Sequence, residues 1–195
     1  MTNLELAKIA EDYTKTVNCY LKGFWFQKIT QSEYDRILKL YPRNSVYGNE
    51  KYIGSDCNAA DCICFIKAIT SGASAIPEKR ISYAQLKAGP LGDCSNETFY
   101  DKLYDCLGEN DEIPPGYGIA STKHAALTLG GNKWIDCNYN GAGQNGIAIH
   151  YSNPVKLGYK VGKIPGIVYE NPEPETERET LMKFVTWLVD SYCNR

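Results

Sequence analysis

The sequence predicts an α+β domain in which helices come first and an antiparallel sheet follows. Three observations indicate this class. Up to residue 108, apolar residues recur at helical spacing behind polar capping residues. After Pro114-Pro115-Gly116, short apolar segments are separated by Gly, Asn and Pro, which is typical of an antiparallel meander. The chain has 195 residues, 43% of them hydrophobic, so it can bury one core without a metal or a disulfide.

Apolar spacing and capping residues predict four helices in the first part of the chain. They cover residues 4–15, 32–40, 61–69 and 95–108. Ser32, with Asp35 three residues later, forms a cap for the second helix, which stops before Pro42. Asn, Gly and Ser then predict a loop over residues 43–56.

Strands are predicted where short apolar segments alternate with turn residues. They cover residues 117–120, 125–129, 133–139, 146–151 and 164–169. The acidic stretch 170–177 predicts a solvated linker, and apolar spacing over 178–192 predicts a final helix. The chain therefore divides into an N-terminal helical segment at 1–46, a domain at 47–170 with the candidate site, and a linker with a C-terminal helix at 171–195.

Charge and hydropathy exclude several classes of protein. Lys and Arg number 21 against 23 Asp and Glu, and no basic run occurs, so nucleic-acid binding is not expected. No apolar stretch approaches the ~20 residues of a membrane span. The first residues are acidic and amphipathic and lack the basic and apolar regions of a signal peptide.

The chain has eight cysteines, and most are interpreted as buried thiols. A disulfide between Cys94 and Cys106 stays open as an alternative. Cys57, Cys62 and Cys64 are close in sequence, but neither a CxxC pair nor a histidine cluster accompanies them. We therefore expect no metal and no cofactor.

A predicted hairpin carries one of only two histidines. His124 precedes an alternating strand, and a Gly-Gly-Asn loop leads into a second strand that contains Asp136. Pairing Leu129 with Lys133 sets Ala126 opposite Asp136 and His124 opposite Asn138. Since side chains alternate along a strand, His124, Asp136 and Asn138 then share one face. An imidazole oriented by a carboxylate is a candidate general base, although a surface histidine near a chance acid has the same spacing.

Two further residues of this region have a candidate role. Trp134 alternates with Asp136 on the same face, so it either forms the floor of a substrate groove or simply packs. His150 comes near the end of the next strand, and we interpret it as structural or solvated.

The third predicted helix offers a nucleophile. Cys62 lies in its first turn, where the positive helix end and unpaired N–H groups favour a thiolate over a thiol. Cys64 is two positions later, about 200° around the helix, so both cannot face one site. Cys57, in the preceding loop, is a weaker candidate. Ordinary buried thiols remain the alternative for all three.

The sequence around both candidates resembles a known family. Residues 61–66, DCICFI, resemble the D-C-[SC]-G-[FL]-[IV] signature of NlpC/P60 cysteine peptidases, which are papain-like cell-wall hydrolases. Residues 124–136, HAALTLGGNKWID, look like that family's histidine stretch, in which the third catalytic residue comes twelve positions after the histidine. The resemblance covers roughly residues 47–169.

The resemblance implies a papain-like NlpC/P60 fold, with a catalytic helix packed on an antiparallel sheet. Cys62 matches the nucleophile, His124 the general base and Asp136 the residue that orients the imidazole. The tyrosine-glycine entry that precedes the nucleophile in the family is loosely matched by Tyr47-Gly48 or by Tyr52-Ile53-Gly54. Tyr52, Trp134 and Asn138 are the predicted substrate-binding residues. Cys64 stands where many members have Gly, and an insertion lengthens the connection between nucleophile and base.

The resemblance further implies a peptidoglycan hydrolase that cuts a stem-peptide amide, the γ-D-glutamyl bond to the diamino acid, through a thioester. A phage lysin fits the missing signal peptide: it would be cytoplasmic until lysis or non-classical export releases it, or associated with the virion. The expected partner is bacterial cell-wall peptidoglycan. The alternatives are a tail or wall-binding module with little turnover, and a thiol acyltransferase.

Overall fold

The computed structural model describes residues 1–76, 80–141 and 144–170, and it is a mixed α+β structure. Its larger sheet has five antiparallel strands in the order β7-β6-β5-β4-β8. They are β4 (Pro115–Ala120), β5 (Ala125–Gly130), β6 (Lys133–Tyr139), β7 (Asn145–Tyr151) and β8 (Lys160–Gly162). The predicted meander is therefore confirmed for its first four strands.

The last strand differs from the prediction. Residues 160–162 form β8 beside β4, while Ile164–Ile167 form a turn in which the Ile167 N–H donates to the Ile164 carbonyl and Gly166 has φ +80°. Pro165 in that segment has no N–H to contribute to a sheet, so the strand ends before it. Val168 instead bridges to Thr2, which joins the end of the described chain to its start.

A second, three-stranded sheet was not predicted. It consists of β1 (Asn18–Tyr20), β2 (Trp25–Gln27) and β3 (Asn58–Ala60), with β3 in the centre, parallel to β1 and antiparallel to β2. Each strand has only three residues, too few to show an alternating pattern. The expectation that all strands follow the helices is therefore wrong, because this sheet forms before the third helix.

Five α-helices occur in the described residues. They are α1 (Asn3–Asp12), α2 (Gln31–Leu40), α3 (Cys62–Thr70), α4 (Tyr83–Ala88) and α5 (Asn96–Lys102), and 3₁₀ turns at residues 13–15, 42–47 and 50–52 supplement them. The predicted loop at 43–56 thus contains two of these turns, and α4 was not predicted. The cap of α2 is Thr30, whose hydroxyl accepts from the Glu33 N–H, and not Ser32.

Helix α5 is shorter than predicted. It ends at Lys102, and Leu103 is extended. The next residue, Tyr104, exchanges backbone hydrogen bonds with Lys163 at 3.2 and 2.8 Å. Because those amide groups are committed to the sheet edge, they cannot continue the helix.

Helix α3 is the centre of the main core. Phe65, Ile66 and Ile69 are fully buried against α1 and strands β2, β5 and β6. Each large apolar side chain buried in this way contributes about 1.5–3 kcal/mol. Residues 1–46 take part in the same packing, because α1 lies on β4, β5 and α3 while β1 and β2 flank β3.

The described residues end at Glu170 and include seven of the eight cysteines. The predicted linker beyond Glu170 and the C-terminal helix lie outside the described residues, as does Cys193. The seven cysteines within the described ranges are free thiols, so the Cys94–Cys106 disulfide is not formed. In the part of the chain that the structure describes, no helix has the length and apolar character needed to cross a bilayer.

Packing of α5 on β4 leaves no room at Gly118. A methyl group there would lie 2.7 Å from Leu103 and 2.8 Å from Phe99, both of which are buried. We expect Gly118→Ala to lower the free energy of unfolding by about 1–3 kcal/mol, because the crowded side chains must leave their rotamers. Urea denaturation measures the change. Gly108→Ala, where the new methyl would lie 3.5 Å from Asp111, is the matched control and should cause no loss; equal losses in both variants would contradict the packing.

Candidate active site

The candidate nucleophile is the first residue of α3. Strand β3, the buried centre of the small sheet, leads directly into Asp61, and Cys62 follows as the first helical residue. The Cys62 side chain lies in a tightly packed region, with the residue only 5% exposed. The first N–H groups of a helix have no partner within the helix, so they surround this sulfur with positive partial charge.

Asp61 fixes the start of the helix. One of its carboxylate oxygens accepts from the Cys64 N–H at 2.8 Å, and the other accepts from the Gly23 N–H at 2.9 Å. The first bond is an N-cap, and the second ties the helix start to the turn between β1 and β2. The small sheet and α3 therefore determine where the Cys62 sulfur lies.

The candidate base comes from the large sheet in the predicted register. Ala126 pairs with Asp136, as expected, and the His124 Nε2 lies 2.9 Å from the Asp136 Oδ2. At the hairpin end the closing pair is Gly130 with Lys133, not Leu129 with Lys133. This irregularity lies beyond Thr128, so it leaves the pairing of Ala126 with Asp136 unchanged.

The contacts of His124 determine its proton positions. A carboxylate only accepts, so the Nε2 of His124 carries a proton, and Nδ1 is left for the Cys62 sulfur. Burial by itself lowers the pKa of His124, but hydrogen bonds to Asp136 and Cys62, and their charges, outweigh burial and raise it to about 9. A protonated imidazole beside a sulfur stabilises the thiolate form.

Asp136 is a buried carboxylate, only 1% exposed, with three donors. Besides His124, the His150 Nε2 lies 2.9 Å from its Oδ1, and the Gln144 side-chain amide donates to that same oxygen at 2.8 Å. Burial raises the pKa of Asp136, but the hydrogen bonds and charges of the two histidines outweigh burial and lower it. The carboxylate therefore stays ionised and holds the His124 ring in place.

His150 contacts this site as the second histidine partner of Asp136, which is a structural role of the kind expected for it. It pairs with Trp134 across β6 and β7, and the two rings stack at 4.0 Å between centroids. Trp134 itself is only 5% exposed and donates from its indole N–H to Ser152 at 3.1 Å. The structure thus places Trp134 beneath His150, where it supports the second partner of Asp136.

The sulfur has another polar neighbour from α5. The side-chain amide of Asn96 has both its oxygen and its nitrogen 3.7 Å from the Cys62 Sγ. The segment before α5 is fastened to α3 by Lys67, a buried ammonium that lies 3.5 Å from Asp93 and donates to the Cys94 carbonyl at 3.4 Å. This contact places Asn96 over the nucleophile.

A cleft of about 640 Å³ opens next to this amide. Its lining includes Asp61 and Asn96, which neighbour Cys62, but not Cys62, His124 or Asp136. The rings of Trp25 and Tyr83, with centroids 4.7 Å apart, form an apolar wall of the cleft. Lys22 is one of the cations that line the cleft. The cleft therefore offers a substrate apolar surface and charges of both signs, with the cations Lys22, Arg36 and Lys67 outnumbering Asp61 and Asp93.

The remaining predicted residues lie in different places. Asn138 is on β6, two residues beyond Asp136, and accepts through its side chain from the Tyr139 N–H at 2.8 Å. Tyr52 packs against the smaller core cluster and lines a separate cavity beside Val17 and Cys57. Within the described ranges, no hydrogen bond or ring contact joins Tyr52 to the three candidate catalytic residues.

The other two candidate nucleophiles have no base. Cys57 is 1% exposed and lies in the smaller core cluster with Cys19. Cys64 lines the cleft, where burial and the charge of Asp61 raise the pKa of its thiol well above the ordinary value. Among the described cysteines, Cys62 is the one whose interaction contributes to the raised pKa of His124.

Three residues of this site, His150, Asn96 and Tyr20, were not predicted from the sequence. His150 had a usable signal, since strands 133–139 and 146–151 in antiparallel register place it on the face of Asp136. Asn96 had none, because its contact with Cys62 joins positions 34 residues apart. Tyr20 was also missed. Burial raises the pKa of this phenol, and the charges of Cys62 and Asp61 act in the same direction, so it stays protonated near the nucleophile.

Among the described residues there is no cluster of three or more His, Cys, Asp or Glu side chains arranged to hold a metal ion. Comparison of the chain with protein-family models, with curated proteins and with solved structures found no match. Function must therefore be inferred from the residues themselves.

The raised pKa of His124 predicts a pH-dependent stability. The folded state binds the proton more tightly than the unfolded chain, whose value is near 6.5, so the stabilisation is complete below pH 6.5 and is lost as pH rises through about 9. We expect a loss on the order of 3 kcal/mol across that window. Urea denaturation at a series of pH values measures it.

The difference between wild type and His124→Gln isolates the contribution of this imidazole and of its coupling to Asp136 and Cys62, because groups that do not contact His124 titrate alike in both proteins. Lys123→Gln, a change at the exposed neighbouring residue, is the control and should keep the wild-type slope. A wild-type slope in His124→Gln would show that this imidazole gains no proton affinity on folding.

Proposed function

We propose that this chain is a cysteine endopeptidase that cleaves an amide bond in the stem peptides of bacterial peptidoglycan. The observation that carries the proposal is the position of the His124 imidazole, which lies 2.9 Å from the Asp136 carboxylate and whose pKa is raised by Cys62 as well as by Asp136. A nucleophile, a base and a residue that orients the base are the groups that thiol hydrolysis requires.

The reaction proceeds in two steps. The Cys62 thiolate attacks the carbonyl carbon, a C–S bond forms, and the C–N bond breaks while the Nδ1 of His124 protonates the leaving nitrogen. Water then attacks the thioester. His124 removes the proton from that water, and the C–S bond breaks to release the acid and restore the thiolate. Asp136 holds the imidazole and stabilises its positive charge throughout.

The choice of substrate rests on the resemblance to NlpC/P60 peptidases. The D-C motif at residues 61–66 begins α3, and the histidine stretch at 124–136 forms the β5–β6 hairpin, so the matching residues occupy the elements that such a fold uses. A papain-like NlpC/P60 fold is part of the proposal. We propose that the enzyme cleaves the γ-D-glutamyl bond to the diamino acid. It would reach the cell wall after phage-mediated lysis or after another form of release from the cell.

The cleft beside Asn96 supports a substrate that is a polar peptide. Its positive charges suit carboxylates, which stem peptides carry, and its aromatic wall suits their aliphatic parts. The exposed cations of its lining are Lys22 and Arg36, whereas Lys67 is buried.

The test uses purified sacculi and the decrease of their turbidity. Wild type should clear them, and Cys62→Ala should reduce the rate by about 10³-fold or more, because the attacking atom is lost. Cys106→Ser, which changes an exposed thiol, is the matched control and should retain activity. Mass spectrometry of the released muropeptides should find the diamino acid with a free amine.

Other outcomes identify the alternatives. Clearing by Cys62→Ala together with its loss in Cys57→Ala would assign a different nucleophile. Wild-type protein that pellets with intact sacculi and releases nothing would be a wall-binding module. Muropeptides with a new amide in place of a free acid would indicate an acyltransferase.

A further inference from the structure

The amide of Asn96 faces the nucleophilic atom itself. Its Oδ1 and Nδ2 are each 3.7 Å from the Cys62 Sγ, so the carboxamide lies edge-on to the sulfur. The oxygen can accept from a thiol, and the nitrogen can donate to a thiolate. His124 approaches the same sulfur from the large sheet, and Asn96 approaches it from α5.

Asn96 is held firmly enough to act without rearrangement. The residue before it, Ser95, forms reciprocal hydrogen bonds with Thr98: the Thr98 N–H donates to the Ser95 hydroxyl at 3.2 Å, and the Ser95 N–H donates to the Thr98 hydroxyl at 2.7 Å. Lys67 fixes the preceding segment to the helix that carries the nucleophile. A donor fixed in this way costs little reorganisation when charge develops.

A second donor lies at the same place. The Cys62 backbone N–H is at the first position of α3, where helical geometry supplies no acceptor. The capping carboxylate of Asp61 is committed to the Cys64 and Gly23 N–H groups. Both the backbone N–H and the Asn96 amide therefore lie beside the sulfur, where a carbonyl under attack must sit.

We propose that Asn96 is a catalytic residue that, together with the Cys62 backbone N–H, stabilises the oxyanion of the tetrahedral intermediate. This inference rests on the acyl-transfer chemistry of the proposed function and not on the identity of the substrate. When the thiolate attacks, the C–S bond forms and the carbonyl electron pair moves onto oxygen. The Asn96 Nδ2–H donates to that oxygen until the C=O bond re-forms and the leaving group departs.

The position of the cleft agrees with this role. Asn96 lines the cleft and contacts the sulfur, so its amide lies between the cleft and the nucleophile. The acyl part of the substrate then lies in the cleft, and its carbonyl oxygen turns toward α5. The leaving group departs on the side of His124, which supplies its proton.

The test compares two reactions of Cys62, of which only one forms an oxyanion. p-Nitrophenyl acetate acylates the sulfur through a tetrahedral intermediate and releases p-nitrophenolate, which is measured as a burst. Iodoacetamide alkylates the same sulfur by displacement of iodide, without an oxyanion. We expect Asn96→Ala to slow acylation by about 10²–10³-fold and to leave the alkylation rate within about threefold of wild type.

Two further variants keep the comparison sharp. Asn96→Leu keeps the volume of the side chain but has no donor, so it should behave as Asn96→Ala does. Glu97→Gln, at the exposed next residue of α5, should match wild type in both reactions. Circular dichroism of each variant reports whether the fold is retained.

Each other outcome decides the matter. Equal slowing of alkylation and acylation would make Asn96 a residue that only ionises or orients the thiol, and unchanged acylation would remove it from the mechanism. A wild type without any burst would overturn both this inference and the proposed hydrolase. A burst that depends on Asn96, together with intact sacculi, would support this inference and reject only the peptidoglycan substrate.

Discussion

A buried carboxylate is the constraint on which the site depends. Asp136 lies in the middle of the large sheet with 1% exposure, and an ionised group there costs several kcal/mol unless it is fully hydrogen-bonded. His124, His150 and Gln144 supply that compensation from three different segments. The need to satisfy one carboxylate therefore holds the turn before β5, the end of β7 and the segment before β7 together, and the orientation of the base follows from it.

The nucleophile depends on a different part of the molecule. The small sheet delivers the chain to Asp61, whose carboxylate caps α3 and binds the turn after β1. His124 comes from the large sheet. Asn96 comes from α5, which lies in the chain between the cysteine motif and the histidine motif. The Cys62 sulfur thus lies where α3, the large sheet and α5 meet. Lys67 links α3 to the segment before α5 through its ion pair with Asp93. A buried ammonium in such a place stabilises the arrangement only while its partners remain.

The hairpin could be derived from the sequence because its pairing is local. Alternation and a glycine-rich turn were enough to set Ala126 opposite Asp136, and a bulge at Gly130 shifted only the closing pair. The helix at residues 62–70 could likewise be predicted from its capping residue, Asp61, and from its run of apolar residues. The small sheet could not be predicted from the sequence. Its strands have only three residues, too few to show an alternating pattern, and they pair over separations of about 40 positions.

Local patterns were therefore enough to predict the class of the fold, the helix that carries Cys62 and the face shared by His124 and Asp136, because each follows from periodicity, capping or turn chemistry over a few neighbouring residues. Three contacts became visible only in the folded molecule: His150 with the carboxylate, Trp134 with His150, and Asn96 with the sulfur. These contacts join residues distant in the chain. Packing of helices and sheets brings such residues together, and no local pattern of amino acids records which of them will meet.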